Sequence, residues 1–210
     1  MKLILITGPS GSGKTFLSNK ISDFYHGTIV IKTDSFYRDN IIIKLLALFL
    51  YDIYDRLISI KGKDIVNTIY SIQNKDKFIS LYDYDFRKRK STHVIKEIKY
   101  QKDCRYLILE GIFAHRLNLN YKETINVICQ DKKENCYQRR SRRDQLERGR
   151  GREEVKKKFT KSWDLYYKNS KQFRRNNEVI NTTPVDLQSY NKLINRIEEI
   201  SIYEKTKENI

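Results

Sequence analysis

The sequence predicts an α/β fold in which a parallel sheet is flanked by helices and extended by a β-hairpin. Three observations predict it. Short, wholly apolar runs recur along the chain, as strands buried on both faces require. Segments of helical spacing lie between and after them, as crossover connections require. The first apolar run also ends in a glycine-rich turn.

Taken in order, Leu3–Ile6 is the first strand, and similar runs recur at Thr28–Ile31, Tyr106–Leu109 and Thr124–Cys129. Helical periodicity covers Phe16–Phe24, Ile65–Ile72, Asn135–Leu146, Val155–Phe173 and Leu187–Ile200. Phe78–Tyr84 and His93–Tyr100 alternate more roughly. With the polar Arg87–Thr92 between them they predict a hairpin attached to the main sheet. A chain of 210 residues with no Gly/Ser/Pro linker and no internal repeat predicts a single domain, 1–210.

The formal charge of +16 favours an anionic partner: nucleotide, nucleic acid or acidic lipid. Part of it reflects composition, since the chain is rich in Ile, Lys, Asn and Tyr while Ala occurs only as Ala47 and Ala114 and Pro only as Pro9 and Pro184, the bias of AT-rich codons. Cys104, Cys129 and Cys136 are odd in number and lack metal-type spacing, so neither a disulfide framework nor a zinc site is expected. A reducing setting fits, cytoplasmic or plastid stroma. Met1 leads directly into a strand pattern with no signal-peptide features, so the mature chain is expected to begin at or near it. The longest apolar run, Ile41–Leu50, is far short of the ~20 residues of a bilayer span. It reads as a core or interface helix ahead of a membrane-surface segment.

Gly8–Thr15, GPSGSGKT, satisfies G-x-x-x-x-G-K-[ST] and follows a buried strand and precedes an amphipathic helix, the context its mechanism needs. Gly8, Gly11 and Gly13, with Pro9, Ser10 and Ser12 between them, allow successive N–H groups to turn toward phosphate at a positive helix N-terminus. Lys14 then reaches the β- and γ-phosphates, and the Thr15 hydroxyl suits Mg²⁺. ATP and Mg²⁺ are therefore the expected cofactors. The loop alone does not fix the reaction, since GTPases, ATPases and small-molecule kinases share it.

Four further segments bear on that choice. Thr33–Arg38, TDSFYR, puts Asp34 at the C-terminal end of the second strand, the ligand-binding edge of an open α/β sheet. YDYDF spans Tyr82–Phe86, LEGIF spans Leu109–Phe113, and RRSRRDQLERGRGR spans Arg139–Arg152. Together with the phosphate loop they resemble the uridine kinase and phosphoribulokinase family. The resemblance runs from about Lys2 to Ile200 and is patchy outside the motifs. It implies that Asp34, in a D-S-F-Y ending at Tyr37, accepts the proton of the substrate hydroxyl and approaches the metal. It implies that Glu110 joins Thr15 and Asp34 around Mg²⁺ and that Tyr84 lies against a nucleoside base. Arg140, Arg143, Asp144, Arg148, Gly149 and Arg150 match the family's R-R-x-x-R-D-x-x-x-R-G-R stretch over a mobile lid, about 139–155. Arg143, Arg148 and Arg150 would neutralise charge on the transferred phosphoryl group. Tyr54-Asp55 stands near the family's ribose-contacting pair, with Asp55 preferred and Asp52 the alternative.

Three positions depart from the family pattern. Arg89, five after Tyr84, stands where uridine kinases commonly carry a base-contacting histidine, and is taken as substrate-facing. Lys158 falls near an expected glutamine, and Ile41–Leu50 replaces a polar region, which could alter the acceptor pocket or pair subunits into a homo-oligomer. His26, His93 and His115 read as ordinary loop or strand residues. The expected activity is transfer of the ATP γ-phosphoryl to the 5′-hydroxyl of uridine or cytidine. The alternatives are a phosphoribulokinase-like or other small-alcohol kinase, and a nucleotide-sensing nucleic-acid binder that uses Arg87–Lys90 and Arg139–Arg152, the last disfavoured.

Overall fold

The computed structural model describes residues 1–50, 52–101, 104–119, 121 and 123–208, with side chains as far as Ser201. Strand β1 (Lys2–Thr7) leads into helix α1 (Lys14–Phe24), and β2 (Ile29–Lys32) into a 3₁₀ turn at Thr33–Phe36. Helix α2 (Ile41–Phe49), two 3₁₀ turns at Ile53–Asp55 and Leu57–Ser59, and α3 (Gly62–Gln73) follow. Strands β3 (Phe78–Asp85) and β4 (Lys90–Glu97) precede β5 (Tyr106–Glu110), a 3₁₀ turn at Ala114–Arg116, and β6 (Thr124–Cys129). The chain closes with α4 (Lys133–Arg148), α5 (Arg152–Asn176), β7 (Ile180–Thr182) and α6 (Leu187–Glu208).

Five strands form one parallel sheet in the order β2-β5-β1-β6-β7. Successive side chains of a strand point to opposite faces, so each apolar run feeds two cores. Leu3, Leu5, Leu107 and Leu109 pack on one face with α3 residues Ile65 and Ile69, Phe36 and Tyr166. Ile4, Ile6, Ile108 and Val127 pack on the other against Leu17 and Ile21 of α1 and Leu193 and Ile197 of α6. This double burial explains why these strands read as unbroken apolar runs. Because all five strands run the same way, Gly8, Thr33, Gly111 and Gln130, which follow β1, β2, β5 and β6, gather at one edge.

The hairpin departs from expectation in two ways. It forms a separate two-stranded sheet instead of joining the main one, with β3 packed on α3 and on the 33–36 turn. Its second arm begins at Lys90, three residues before His93, and ends at Glu97. The physical reason is a tight turn: Asp85 Oδ1 accepts hydrogen bonds from the N–H groups of Arg87 and Lys88, and Arg89 turns the chain with φ 50°. Pairing therefore resumes at once, with Asp85 opposite Lys90.

Strand β7 was not legible as a strand; it is three residues long and registers Ile180 against Val127. Helix α2 lies where the apolar run predicts a helix, yet only Ile43 of it is buried, which removes the core reading. Cys104, Cys129 and Cys136 are free thiols. Among the described residues no helix is long and apolar enough to cross a membrane.

Candidate active site

The phosphate loop is built by close backbone approach. Gly11 has φ 85°, and a Cβ there would collide with the backbone carbonyl of Cys136 on α4. Arg139, also on α4, donates from Nε to the Gly11 carbonyl at 2.7 Å and pairs with Asp131 just beyond β6. Lys14 folds its ammonium back to the Pro9 carbonyl at 3.0 Å, leaving a cation and the N-terminus of α1 at the mouth of the loop.

A second close approach sets the carboxylates. At Gly111, after β5, a Cβ would overlap the Thr33 side chain, so the Glu110 and Asp34 segments are drawn together. The Thr15 hydroxyl donates to Glu110 Oε1 at 2.9 Å. Burial pushes the Glu110 carboxyl up, with Asp34 adding to the effect and Lys14 opposing it. Asp34 Oδ1 is buried with no hydrogen-bond partner. An orphaned carboxylate oxygen is costly unless a ligand or proton completes it.

Facing this group is an aromatic wall. Tyr37 packs its ring on Tyr54, Tyr84, Phe86 and Phe113 and gives its hydroxyl to the Tyr54 carbonyl at 2.8 Å. The Tyr54 and Tyr84 hydroxyls are buried against each other. Burial pushes the Asp55 carboxyl up to about 6, opposed by Arg140 and reinforced by Asp34 and Asp52. Asp52 itself is tied to Arg56 at 2.8 Å, and it is Asp55 that lines the pocket.

The arginine-rich segment is two helices joined by a short turn. Gly149, with φ 63°, caps α4, and its N–H bonds the Asp144 carbonyl. Asp144 is fully buried and pairs with Arg140 at 3.6 Å, Arg143 at 2.9 Å, Arg148 at 3.4 Å and Arg150 at 2.8 Å. Burial would raise its carboxyl, but the four guanidiniums hold it down to about 2. Burial, with Arg143 beside it, lowers Arg148 to about 10. The Arg148 guanidinium lies 3.8 Å over the Phe86 ring, and Arg87 donates to the last carbonyls of α4, Glu147 at 2.6 Å and Leu146 at 3.0 Å. The hairpin turn thus holds the end of α4.

One pocket collects nearly all the expected residues: Ser10, Lys14, Thr15, Asp34 and Glu110 at one end, Tyr37, Asp55, Tyr84 and Arg89 at the other, and Arg140, Arg143, Arg148 and Arg150 above. Gly11 and Gly13 line the adjoining groove. Gly8, Pro9 and Ser12 stand behind the loop surface; Ser12 is buried. Lys158 also faces the pocket, paired with Glu154 at 2.7 Å, and burial lowers it. Tyr54, the aromatic member of the expected ribose-contacting pair, lines the pocket as well. Phe86, Ile112 and the loop clamp Arg139 had no individual role in the sequence; only Asp131, a carboxylate eight residues before Arg139, could have signalled the last. His115, read as an ordinary loop or strand residue, sits half-buried in the 114–116 3₁₀ turn, its Nδ1 at 2.9 Å from the Thr7 hydroxyl, and burial depresses it to about 4.

The donor set fits Mg²⁺. Thr15, Glu110 and Asp34 offer only oxygens, the ligands of a hard cation, and one of those oxygens is orphaned. Among the described residues no three His, Cys, Asp or Glu side chains stand close enough to hold a metal unaided. The set is short by the ligands that phosphate oxygens and water would add.

A glycine loop between a buried strand and a helix, facing two carboxylates across an oxygen-lined mouth, defines a P-loop nucleotide-binding α/β protein. The sequence pattern of the Phosphoribulokinase / Uridine kinase family matches residues 3–188, and the chain belongs to that family of ATP-dependent small-molecule kinases. No curated protein matches the chain. Among solved structures it is similar to a candidate fructose transport system kinase from Silicibacter sp. TM1040, with TM-score 0.60 and 16% identity over 80% of this chain and 84% of that one. The YGR205w protein aligns with TM-score 0.58 and 20% identity, covering 87% and 86%. A candidate uridine kinase from Bacillus stearothermophilus aligns with TM-score 0.53 and 14% identity, covering 85% and 87%. At these identities the likeness shows the fold alone.

Proposed function

We propose that the protein transfers the γ-phosphoryl group of ATP to a ribose-type hydroxyl, with the 5′-hydroxyl of uridine or cytidine as acceptor. The observation that carries this reading is the unpartnered, buried Oδ1 of Asp34, which lines one pocket with Lys14 and Thr15 on the phosphate side and with Asp55 and Tyr84 on the acceptor side. Asp34 accepts the hydroxyl proton as the acceptor oxygen bonds to the γ-phosphorus and the bond to the β-bridging oxygen breaks, releasing ADP. Lys14 and the loop N–H groups hold the phosphates. Arg143, Arg148 and Arg150, oriented through Asp144, meet the charge spread over the transferred group. Mg²⁺ between Thr15, Asp34 and Glu110 would neutralise phosphate charge. Asp55 takes ribose hydroxyls, and the hydroxyls of Tyr54 and Tyr84 offer hydrogen bonds beside the base.

A specific observation favours a second reading. Arg89 and Lys158 line the acceptor end, and two cations there suit an acceptor that already bears a phosphate, as in a phosphoribulokinase-like reaction. The nucleic-acid reading loses ground, because Arg87 and the arginines around Asp144 are committed to inward contacts. ADP release from Mg-ATP is the test, with uridine, cytidine, ribulose 5-phosphate and pantothenate as acceptors. Turnover with uridine or cytidine is expected. Turnover with ribulose 5-phosphate alone would replace the nucleoside by the sugar phosphate, and Arg89→His should then abolish it.

A further inference from the structure

Helix α2 presents its apolar side to solvent. Asn40 caps it, accepting from the Ile43 N–H at 3.0 Å, and Ile43 anchors the inner side at 1% exposure. Ile41 is 72% exposed, Ile42 60%, Leu45 53%, Leu48 67% and Phe49 78%. At roughly 100° per residue these five side chains fall within one arc of about 120°. Isolated exposed apolar residues need no explanation, but a contiguous stripe of five marks a contact surface.

The surroundings of the stripe are basic. Lys44 flanks it on the helix, and Arg38 is exposed on the segment before it. The hairpin turn, with exposed Lys88 and Lys90, sits at the N-terminal end of α2, because the Ser91 N–H donates to Asp39 at 3.1 Å. Nearby carboxylates are engaged: Asp39 by Ser91, Asp52 by Arg56, and Asp85 by the turn N–H groups and Lys88. A second copy of this chain would bring another +16 against this basic rim, so charge favours a negative surface over self-association.

We propose that α2 docks the protein on an anionic lipid bilayer. The helix lies in the plane of the headgroup boundary, with Ile41, Ile42, Leu45, Leu48 and Phe49 toward the acyl chains and the flanking lysines and Arg38 on lipid phosphates. Nine residues span about 13 Å, so the helix rests on the membrane and does not cross it. Docking holds the pocket mouth near the surface, since the 53–55 turn that α2 packs against carries Asp55.

The experiment is co-sedimentation of the full chain with phosphatidylcholine vesicles, with and without about 30 mol% phosphatidylglycerol. Leu45→Glu/Phe49→Glu tests the stripe, and both positions are exposed, so folding should persist; a melting curve checks it. The wild type should bind the anionic vesicles, lose binding as salt rises, and lose about tenfold or more of its partitioning in the double variant. Asp34→Asn should bind like the wild type, which separates this surface from the proposed catalysis. Absence of binding to anionic vesicles, or binding that the double variant leaves intact, overturns the proposal. A dimer seen by light scattering and dissolved by the same variant would assign the stripe to a second copy, and also overturns it.

Discussion

Replacing Asp144 by asparagine keeps the shape of the side chain and removes the one negative charge shared by Arg140, Arg143, Arg148 and Arg150. The carboxyl is held down to about 2 from its ordinary 3.8, a favourable interaction of about 2–3 kcal/mol at ~1.4 kcal/mol per unit. Leaving the guanidiniums half-buried without their counter-charge adds to that, so the loss at neutral pH should be about 2–4 kcal/mol. A depressed carboxyl contributes its full stability above the unfolded value and loses it as pH falls through the folded one. The gap between wild type and variant should therefore be constant above about pH 4 and narrow toward pH 2. Urea denaturation at pH 7, 4 and 3 measures it. The variant should also turn over at least about tenfold more slowly, because the arginines lose their fixed orientation. A loss under about 0.5 kcal/mol with unchanged turnover would refute the reasoning.

Two other variants probe the two ends of the pocket. Asp55, raised to about 6 by burial, costs stability when ionised. Asp55→Asn should therefore be more stable than the wild type by about 1–2 kcal/mol at pH 8, with the difference closing between pH 6 and 4, while KM for the acceptor rises; equal melting temperatures at pH 8 would contradict this. Gly11→Ala forces a side chain into the Cys136 carbonyl at φ 85°; it should cost about 2 kcal/mol or more and abolish the thermal stabilisation that ATP confers on the wild type, which a melting curve with and without ATP reads directly.

The phosphate loop and Glu110 were legible because each lies at the end of a strand whose burial on both faces leaves an unbroken apolar run, and Asp34 because the half-buried edge strand β2 before it is still apolar. The hairpin boundaries were not, since an Asp85 side chain closing a tight turn carries no periodic signal. Strand β7 is too short to show a period at all. Helix α4 was legible as a helix over Asn135–Leu146 but not in what it buries: beside Cys136 its buried residues are Arg140 and Asp144, an ionic face that apolar periodicity does not mark. The choice between Asp52 and Asp55 depended on Arg56, which neutralises the first and leaves the second facing the pocket. In α2 the apolar run gave the helix correctly but not its face, because exposure depends on what packs against it.

The most direct test is acceptor-dependent ADP release by Asp34→Asn beside the wild type, with ATP affinity measured in parallel by thermal shift. If Asp34 takes the acceptor proton, the variant binds ATP, keeps its fold and loses about a hundredfold or more of its turnover. Turnover within a few-fold of the wild type at unchanged ATP affinity would contradict the account at its centre.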